Sequence, residues 1–348
     1  MKRVLVCAVQ APFVVGGAEI LTRELAENLR RRGFQVDVAT VPFKWYPVSE
    51  LVRQALAWRL IDVTESNGDL VDLVIPTKFP SFLVRHPNKV AWLYHQHREA
   101  YDLHGTSFGS FSERPEDHAV RGAIQRMDTA ALQECRKIFT ISKNVARRLL
   151  EWNRLEAEAL YPPPQHLGHY RGGGFGDYVF YAGRLDRLKR LDLVIDAVAR
   201  AGPKARLKIA GQGPLRGELE KQIARLGVGE RVELLGFVTS EDLIALYAGC
   251  RAAVYAPLNE DYGYVTVEAF LSRKPVLTTV DAGGVLEFVA DGETGLVTLA
   301  EPEALAQGLR RLYDASGDAL RALGEAGHAR VVGITWDHVL DRLTETLR

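Results

Sequence analysis

Tyr161-Pro162-Pro163-Pro164, then Gly172-Gly173-Gly174-Phe175-Gly176, then Tyr178-Val179-Phe180-Tyr181-Ala182: this stretch divides the chain. Three prolines and a glycine cluster cannot lie inside a helix or a strand, so they mark a linker. The apolar run that follows has the length of a buried strand. The same rhythm lies on both sides. Upstream, strands are expected at Lys2–Ala8, Gln35–Val41, Val71–Ile75, Val90–Tyr94 and Lys137–Ile141. Ile20, Leu21, Leu25 and Leu29 recur at helical spacing over Ala18–Arg32, and Gly33 stops that helix. Asn144–Trp152 also reads as helix. Downstream, strands are expected at Leu207–Ala210, Val232–Leu235, Ala252–Tyr255 and Val276–Thr279, with helices between them. Alternating strands and helices imply parallel sheets covered on both faces. The expected class is α/β, with two Rossmann-like doubly wound parallel-sheet domains.

The boundaries follow: residues 1–163, a linker at 164–176, a second domain at 177–333, and a terminal helix in 334–348. That helix places Val339, Leu340, Leu343 and Leu347 on one face, expected to pack within the protein.

Composition narrows the function. The chain has 348 residues, 47% of them hydrophobic, enough for two cores. Lys+Arg and Asp+Glu are both 44, so the net charge is zero. That argues against a dedicated nucleic-acid binder and against an acidic disordered chain. Residues 1–165 carry 22 basic and 19 acidic side chains. So mild an excess is weak support for peripheral membrane contact through the N-terminal domain; a solvated surface explains it more simply. No apolar run approaches the ~18 residues of a membrane span. Cys7, Cys135 and Cys250 lie far apart and fit neither zinc spacing nor a disulfide framework, which points to a cytoplasmic protein. Met1–Ala11 reads as the first strand rather than a signal peptide.

Four places carry candidate chemistry. Gly16-Gly17-Ala18-Glu19 stands where a loop enters a helix. It is either an anion site or a tight turn, and no full G-x-G-x-x-G is present. Gly183-Arg184-Leu185-Asp186-Arg187-Leu188-Lys189 follows a strand, and Arg184 and Lys189 together suit one anion. Pro257–Ala269 holds Glu260 in a loop, Gly263 at a turn, and Glu268 about one and a half turns into a helix. A carboxylate there suits a pair of sugar hydroxyls. Finally, Tyr94-His95-Gln96-His97 ends a strand, and alternation places both histidines on one face. Three readings compete for them: cleft-facing polar groups, structural histidines, or a zinc pair with His104.

In these residues the chain resembles a family 4 retaining glycosyltransferase of the GT-B fold. Gly16-Gly17, Arg184, Lys189 and Glu260…Glu268 stand in the family's order and spacing, as do Asp281-Ala282-Gly283-Gly284 and Asp291–Leu296. Two positions depart from it: Arg190 where glycine is frequent, and Tyr262 where phenylalanine is frequent. The resemblance implies two domains facing a central cleft and a nucleotide-diphosphate sugar as donor substrate. It implies no cofactor and no metal. The acceptor would be a glycan, a lipid-linked molecule or a small molecule.

Glu268 would then hold the ribose. Gly236, Phe237 and Val238 would meet the base. Arg184 and Lys189 would neutralise the diphosphate. Glu260, Gly263, Tyr264 and Val265 would contact sugar and phosphates, with Gly16 and Gly17 approaching from the other half. His95 would contact the donor sugar, and His97 is the second candidate. An epimerase of the same fold and a non-catalytic nucleotide-sugar-binding protein are the alternatives. A hydrolase using the two glutamates leaves the phosphate-binding features unexplained.

Overall fold

A computed structural model describes residues 1–13 and 16–347. The chain forms two compact units, one of residues 1–165 with 334–348, the other of residues 166–333.

In unit 1, apart from a short antiparallel pair of Glu65–Ser66 with Asp69–Leu70, the strands are β1 (Arg3–Gln10), β2 (Gln35–Pro42), β3 (Leu73–Pro76), β4 (Val90–Leu93), β5 (Lys137–Thr140) and β6 (Glu158–Ala159). They form two parallel three-stranded pieces, β2-β1-β3 and β4-β5-β6. Single bridges, Val74 to Lys89 and Lys78 to His95, join the pieces. Val4, Val6, Cys7, Ala8 and Val9 of β1 are all buried, as a strand covered on both faces requires. Helix α1 (Gly17–Arg31) buries Leu21, Leu25 and Leu29, the stripe visible in the sequence. Helices α2 (Glu50–Leu60), α3 (Pro115–Gln133) and α4 (Lys143–Asn153) complete the helical layers. Ser142 caps α4 by accepting from the Val145 amide at 3.0 Å.

In unit 2 the strands are β7 (Val179–Ala182), β8 (Leu207–Ala210), β9 (Val232–Gly236), β10 (Ala252–Val254), β11 (Val276–Thr279) and β12 (Gly295–Thr298). All are parallel, in the order β9-β8-β7-β10-β11-β12. This is the Rossmann order, which reverses direction between β7 and β10. The helices are α5 (Leu191–Arg200), α6 (Arg216–Leu226), α7 (Ser240–Gly249), α8 (Tyr264–Leu271), α9 (Pro302–Asp314) and α10 (Gly317–Val331).

The last helix, α11 (Trp336–Leu343), belongs to unit 1. Trp336 meets Trp92 of β4 edge-on at 6.2 Å, and Arg32 pairs with Asp341 at 2.6 Å. The helix stops at Leu343, four residues short of the expected end; a single 3-10 turn, Glu345–Leu347, follows.

Several sequence expectations shift. Strand β4 ends at Leu93, so Tyr94–His97 is not strand. Strand β3 starts at Leu73 rather than Val71. Sequence periodicity misses α2, whose charged residues and half-buried face blur its stripe. It also misses β12, which lies inside a glycine-punctuated stretch.

Candidate active site

Ligands of open α/β sheets sit beyond the carboxyl ends of the strands, where the strand order reverses. In unit 2 that point lies between the loop after β7 and the loop after β10. Here the sequence candidates gather.

Lys189, in the turn before α5, donates to Glu260 at 2.5 Å and to the Tyr255 hydroxyl at 3.2 Å. Burial alone would lower the Lys189 pKa. The Glu260 charge outweighs it and holds the ammonium above its usual range. Arg184 differs: it is exposed, and its guanidinium has no hydrogen-bonding partner among the described residues.

The loop that carries Glu260 is fixed from both sides. Its amide donates to Ala282 at 3.1 Å, and its carbonyl accepts from Gly284 at 2.8 Å. Leu258 donates to Leu188 at 2.8 Å, tying the loop to the turn that carries Lys189. Arg190 completes the brace. It reaches the carbonyls of Ala256 and Pro257 at 2.8 Å, Thr279 at 2.9 Å and both Asp281 oxygens at 2.7 Å. The backbone there is left-handed, with φ +48°. That explains why glycine is frequent at this position in the family resembled, and what the arginine offers instead.

Helix α8 starts at Gly263, whose φ is +91°. A side chain there would come within 2.9 Å of Val285 and 3.1 Å of Tyr255, so only glycine fits. The first α8 amides, from Tyr264 and Val265, have no partner within the helix, as at any helix N-terminus. Glu268 is half-buried one turn further on. Burial raises its pKa, against the lowering effect of the Tyr247 and Tyr170 hydroxyls. Tyr247 of α7 donates to its Oε2 at 2.8 Å. At the end of β9, Phe237 is 78% exposed beside Gly236 and Val238, leaving its ring face open.

Unit 1 has its own reversal point, between β1 and β3. The Gly16 amide donates to the Glu19 carboxylate at 2.9 Å, and Glu19 pairs with Lys78 at 2.8 Å. The Gly16-Gly17 turn is therefore capped by its own helix. Burial opposes the Glu19 charge, but Lys78 and the Gly16 amide hold its pKa below the usual value. His95 is half-buried next to this cluster, bridged to Lys78 through backbone; its Nδ1 lies 2.7 Å from the Gln96 carbonyl.

His97 goes elsewhere. The strand-alternation argument fails because β4 has already ended, and the chain turns into a 3-10 turn at Arg98–Ala100. The His97 ring is buried among Phe79 at 5.5 Å, Phe111 at 6.2 Å and Phe43 at 6.5 Å. Burial, then His95, lowers its pKa to about 4. Among the described residues no group of three or more His, Cys, Asp or Glu is arranged to hold a metal ion.

Residues 176–330 match the family model described as Glycosyl transferases group 1. That stretch is similar to the group 1 glycosyltransferases. An uncharacterised glycosyltransferase of Methanocaldococcus jannaschii is 24% identical over 97% of this chain and 96% of its own length. A D-inositol 3-phosphate glycosyltransferase of Nocardia farcinica is 28% identical over 62% of this chain and 53% of its own. Sucrose-phosphate synthase from Thermosynechococcus elongatus has a TM-score of 0.79 at 20% identity, over 100% of this chain and 98% of that one. HepE from Anabaena, in complex with UDP and glucose, has a TM-score of 0.71 at 20% identity, over 100% and 99%. The fold is GT-B.

Three features of the site escape sequence reasoning. Gly211-Gln212-Gly213 lies after β8. A side chain at Gly211 would sit 1.8 Å from the Gly183 carbonyl, so the loops after β7 and β8 touch backbone to backbone. A G-x-G between strand and helix was the available signal. Tyr255 and Tyr247 carry none: each looks like an ordinary apolar residue until the sheet brings it to Lys189 or Glu268.

Proposed function

We propose that this glycosyltransferase moves a sugar from a nucleoside-diphosphate sugar to a carbohydrate-bearing acceptor, with retention of anomeric configuration and without a metal ion. The observation that carries the reading is the pairing of two carboxylates across one helix start. Glu260, held by Lys189, and Glu268, held by Tyr247, flank the N-terminal turn of α8. Such a site offers acceptors for hydroxyls at both ends and donors for a diphosphate between them.

In this reading Glu268 accepts from the ribose hydroxyls, and Phe237, Gly236 and Val238 take the base. The amides of Tyr264 and Val265 and the uncommitted cation of Arg184 meet the diphosphate. Charge grows on that leaving group in the transition state, and fixed donors stabilise it without reorganising. Lys189 acts with Glu260 as a unit, so its effect on the phosphate is tempered by its ion pair. Unit 1 is assigned the acceptor and the reacting sugar, with His95 as the polar contact and Gly16-Gly17 beside it. Trp45 and Tyr46, 39% and 60% exposed just beyond β2, suit the apolar face of a sugar. In this proposal departure and attack occur on one face, and the leaving phosphate takes the acceptor proton.

The relatives do not fix donor or acceptor. One is a D-inositol 3-phosphate glycosyltransferase, another a D-rhamnosyltransferase and a third an alpha-D-kanosaminyltransferase. A peripheral position on the inner membrane face stays within the proposal for lipid-linked acceptors; among the described residues no helix is long and apolar enough to cross a membrane.

The test is a panel of UDP-, GDP-, ADP- and TDP-sugars, with and without EDTA, read by release of nucleoside diphosphate and by NMR of the product anomer. Acceptor-dependent release with retained configuration is expected. An inverted product, or turnover that EDTA abolishes and manganese restores, rejects the corresponding part.

A further inference from the structure

The ribose assignment leaves one question open. Glu268 lies in a half-buried position that disfavours its charge, yet a diol acceptor must be ionised to accept two hydrogen bonds well. Two phenols face it from outside its own helix. Tyr247, fully buried on α7, donates to Oε2 at 2.8 Å. Its ring is locked edge-on against Phe180 of β7 at 4.9 Å, so the hydroxyl has one available direction. Tyr170, in the segment leading to β7, meets the Tyr247 ring at 6.2 Å. Its hydroxyl is buried without a well-formed hydrogen bond and feels the Glu268 charge. Oε1 of Glu268 accepts no hydrogen bond among the described residues.

We infer that Tyr247 is a positioning residue of the donor site: it keeps Glu268 ionised and turned so that Oε1 is left for the ribose hydroxyls. The inference rests on the ribose role given to Glu268 above. The physical reason is that a hydrogen bond donated to a carboxylate favours its charged form, whereas burial favours the neutral one. The groups acting on Glu268 are the two phenols, with Tyr264 on its own helix near Tyr170. None of them is a cation, so the hydroxyl of Tyr247 is the principal stabiliser.

The experiment is calorimetric binding of UDP, GDP and ADP, and of their 2′-deoxy counterparts, from pH 5.5 to 8, to the full chain and to Tyr247→Phe. Melting curves control for folding. At pH 8 the variant should bind within about threefold of wild type. At pH 5.5 it should bind several-fold more weakly than wild type, because a carboxyl that has lost a hydrogen bond to its charged form takes up its proton at higher pH. The preference for ribose over 2′-deoxyribose should shrink in parallel. Adding Glu268→Gln should remove the extra pH dependence.

A variant that weakens equally at every pH, or follows the wild-type profile, overturns the inference. Wild type that binds none of the three nucleotides overturns the donor-site reading itself, a different and distinguishable result. If Tyr247→Phe fails to fold, infrared difference spectra of wild type against Glu268→Gln decide. Carboxylate bands of Glu268 that persist at pH 6.5 support the inference, and a protonated Glu268 at that pH overturns it.

Discussion

The Lys189 ammonium and the Glu260 carboxylate lie 2.5 Å apart, 71 residues apart in sequence, at the point where the unit 2 sheet reverses its strand order. Both side chains are about one-fifth exposed, at 20% and 18%. Removing one partner therefore leaves the other charge poorly solvated. Lys189→Met and Glu260→Gln should each abolish most turnover. Their effects on stability should be non-additive, the double variant recovering ~1–3 kcal/mol of the summed losses. Additive denaturation midpoints would show that the pair is only incidental.

Arg190 tests the brace beneath Glu260. Its left-handed backbone costs a non-glycine residue about 1 kcal/mol, and its bonds to Asp281 repay more than that. Melting temperatures should rank wild type above Arg190→Gly, and Arg190→Gly above Arg190→Ala. The glycine relieves the backbone but loses the guanidinium; the alanine loses the guanidinium and keeps the strain. A glycine variant at least as stable as wild type would remove the bracing role.

His95 and His97 should separate cleanly. His95→Ala is expected to lower kcat by roughly 10²-fold with nucleotide affinity unchanged, the mark of a contact made mainly in the transition state. His97→Ala should instead lower the melting temperature, because it empties a place among Phe43, Phe79 and Phe111. The reverse pattern in steady-state kinetics exchanges the two assignments.

Stability should fall between pH 6.5 and 8 because of Asp128. It is fully buried on α3 and accepts from the Tyr101 hydroxyl at 2.7 Å, while its other oxygen has no partner. Burial, partly offset by Tyr101, pushes its pKa to about 8. The native state therefore holds a proton that the unfolded chain releases near pH 4. Stability from this group is full below that, and is lost as pH rises toward 8. His97 acts oppositely: its folded pKa of about 4 is below the unfolded value, so acid destabilises it between about pH 6.5 and 4. The two nearly cancel below pH 6.5, and Asp128 acts alone above it. Asp128→Asn should flatten the melting temperature between pH 6.5 and 8; an unchanged slope there refutes the assignment.

The sequence by itself determined the division into two α/β halves and the helices and strands of strongest period. Those signals are local: apolar residues recur at a fixed spacing, and Pro162–Pro164 and Gly172–Gly174 break it. It also marked Glu260, Gly263 and Glu268, because a loop, a turn and a helix start are adjacent in the chain. Only the tertiary structure decided the partners. Strand order β9-β8-β7-β10-β11-β12 is not written in any local pattern, and it alone brings the loop after β7 to Glu260. It delivers Lys189 to Glu260 as an ion pair and leaves Arg184 uncommitted. It places Gly211 against Gly183 and carries Tyr247 to Glu268. In unit 1, β4 ended at Leu93 and sent His97 into an aromatic nest, where burial rather than spacing sets its charge.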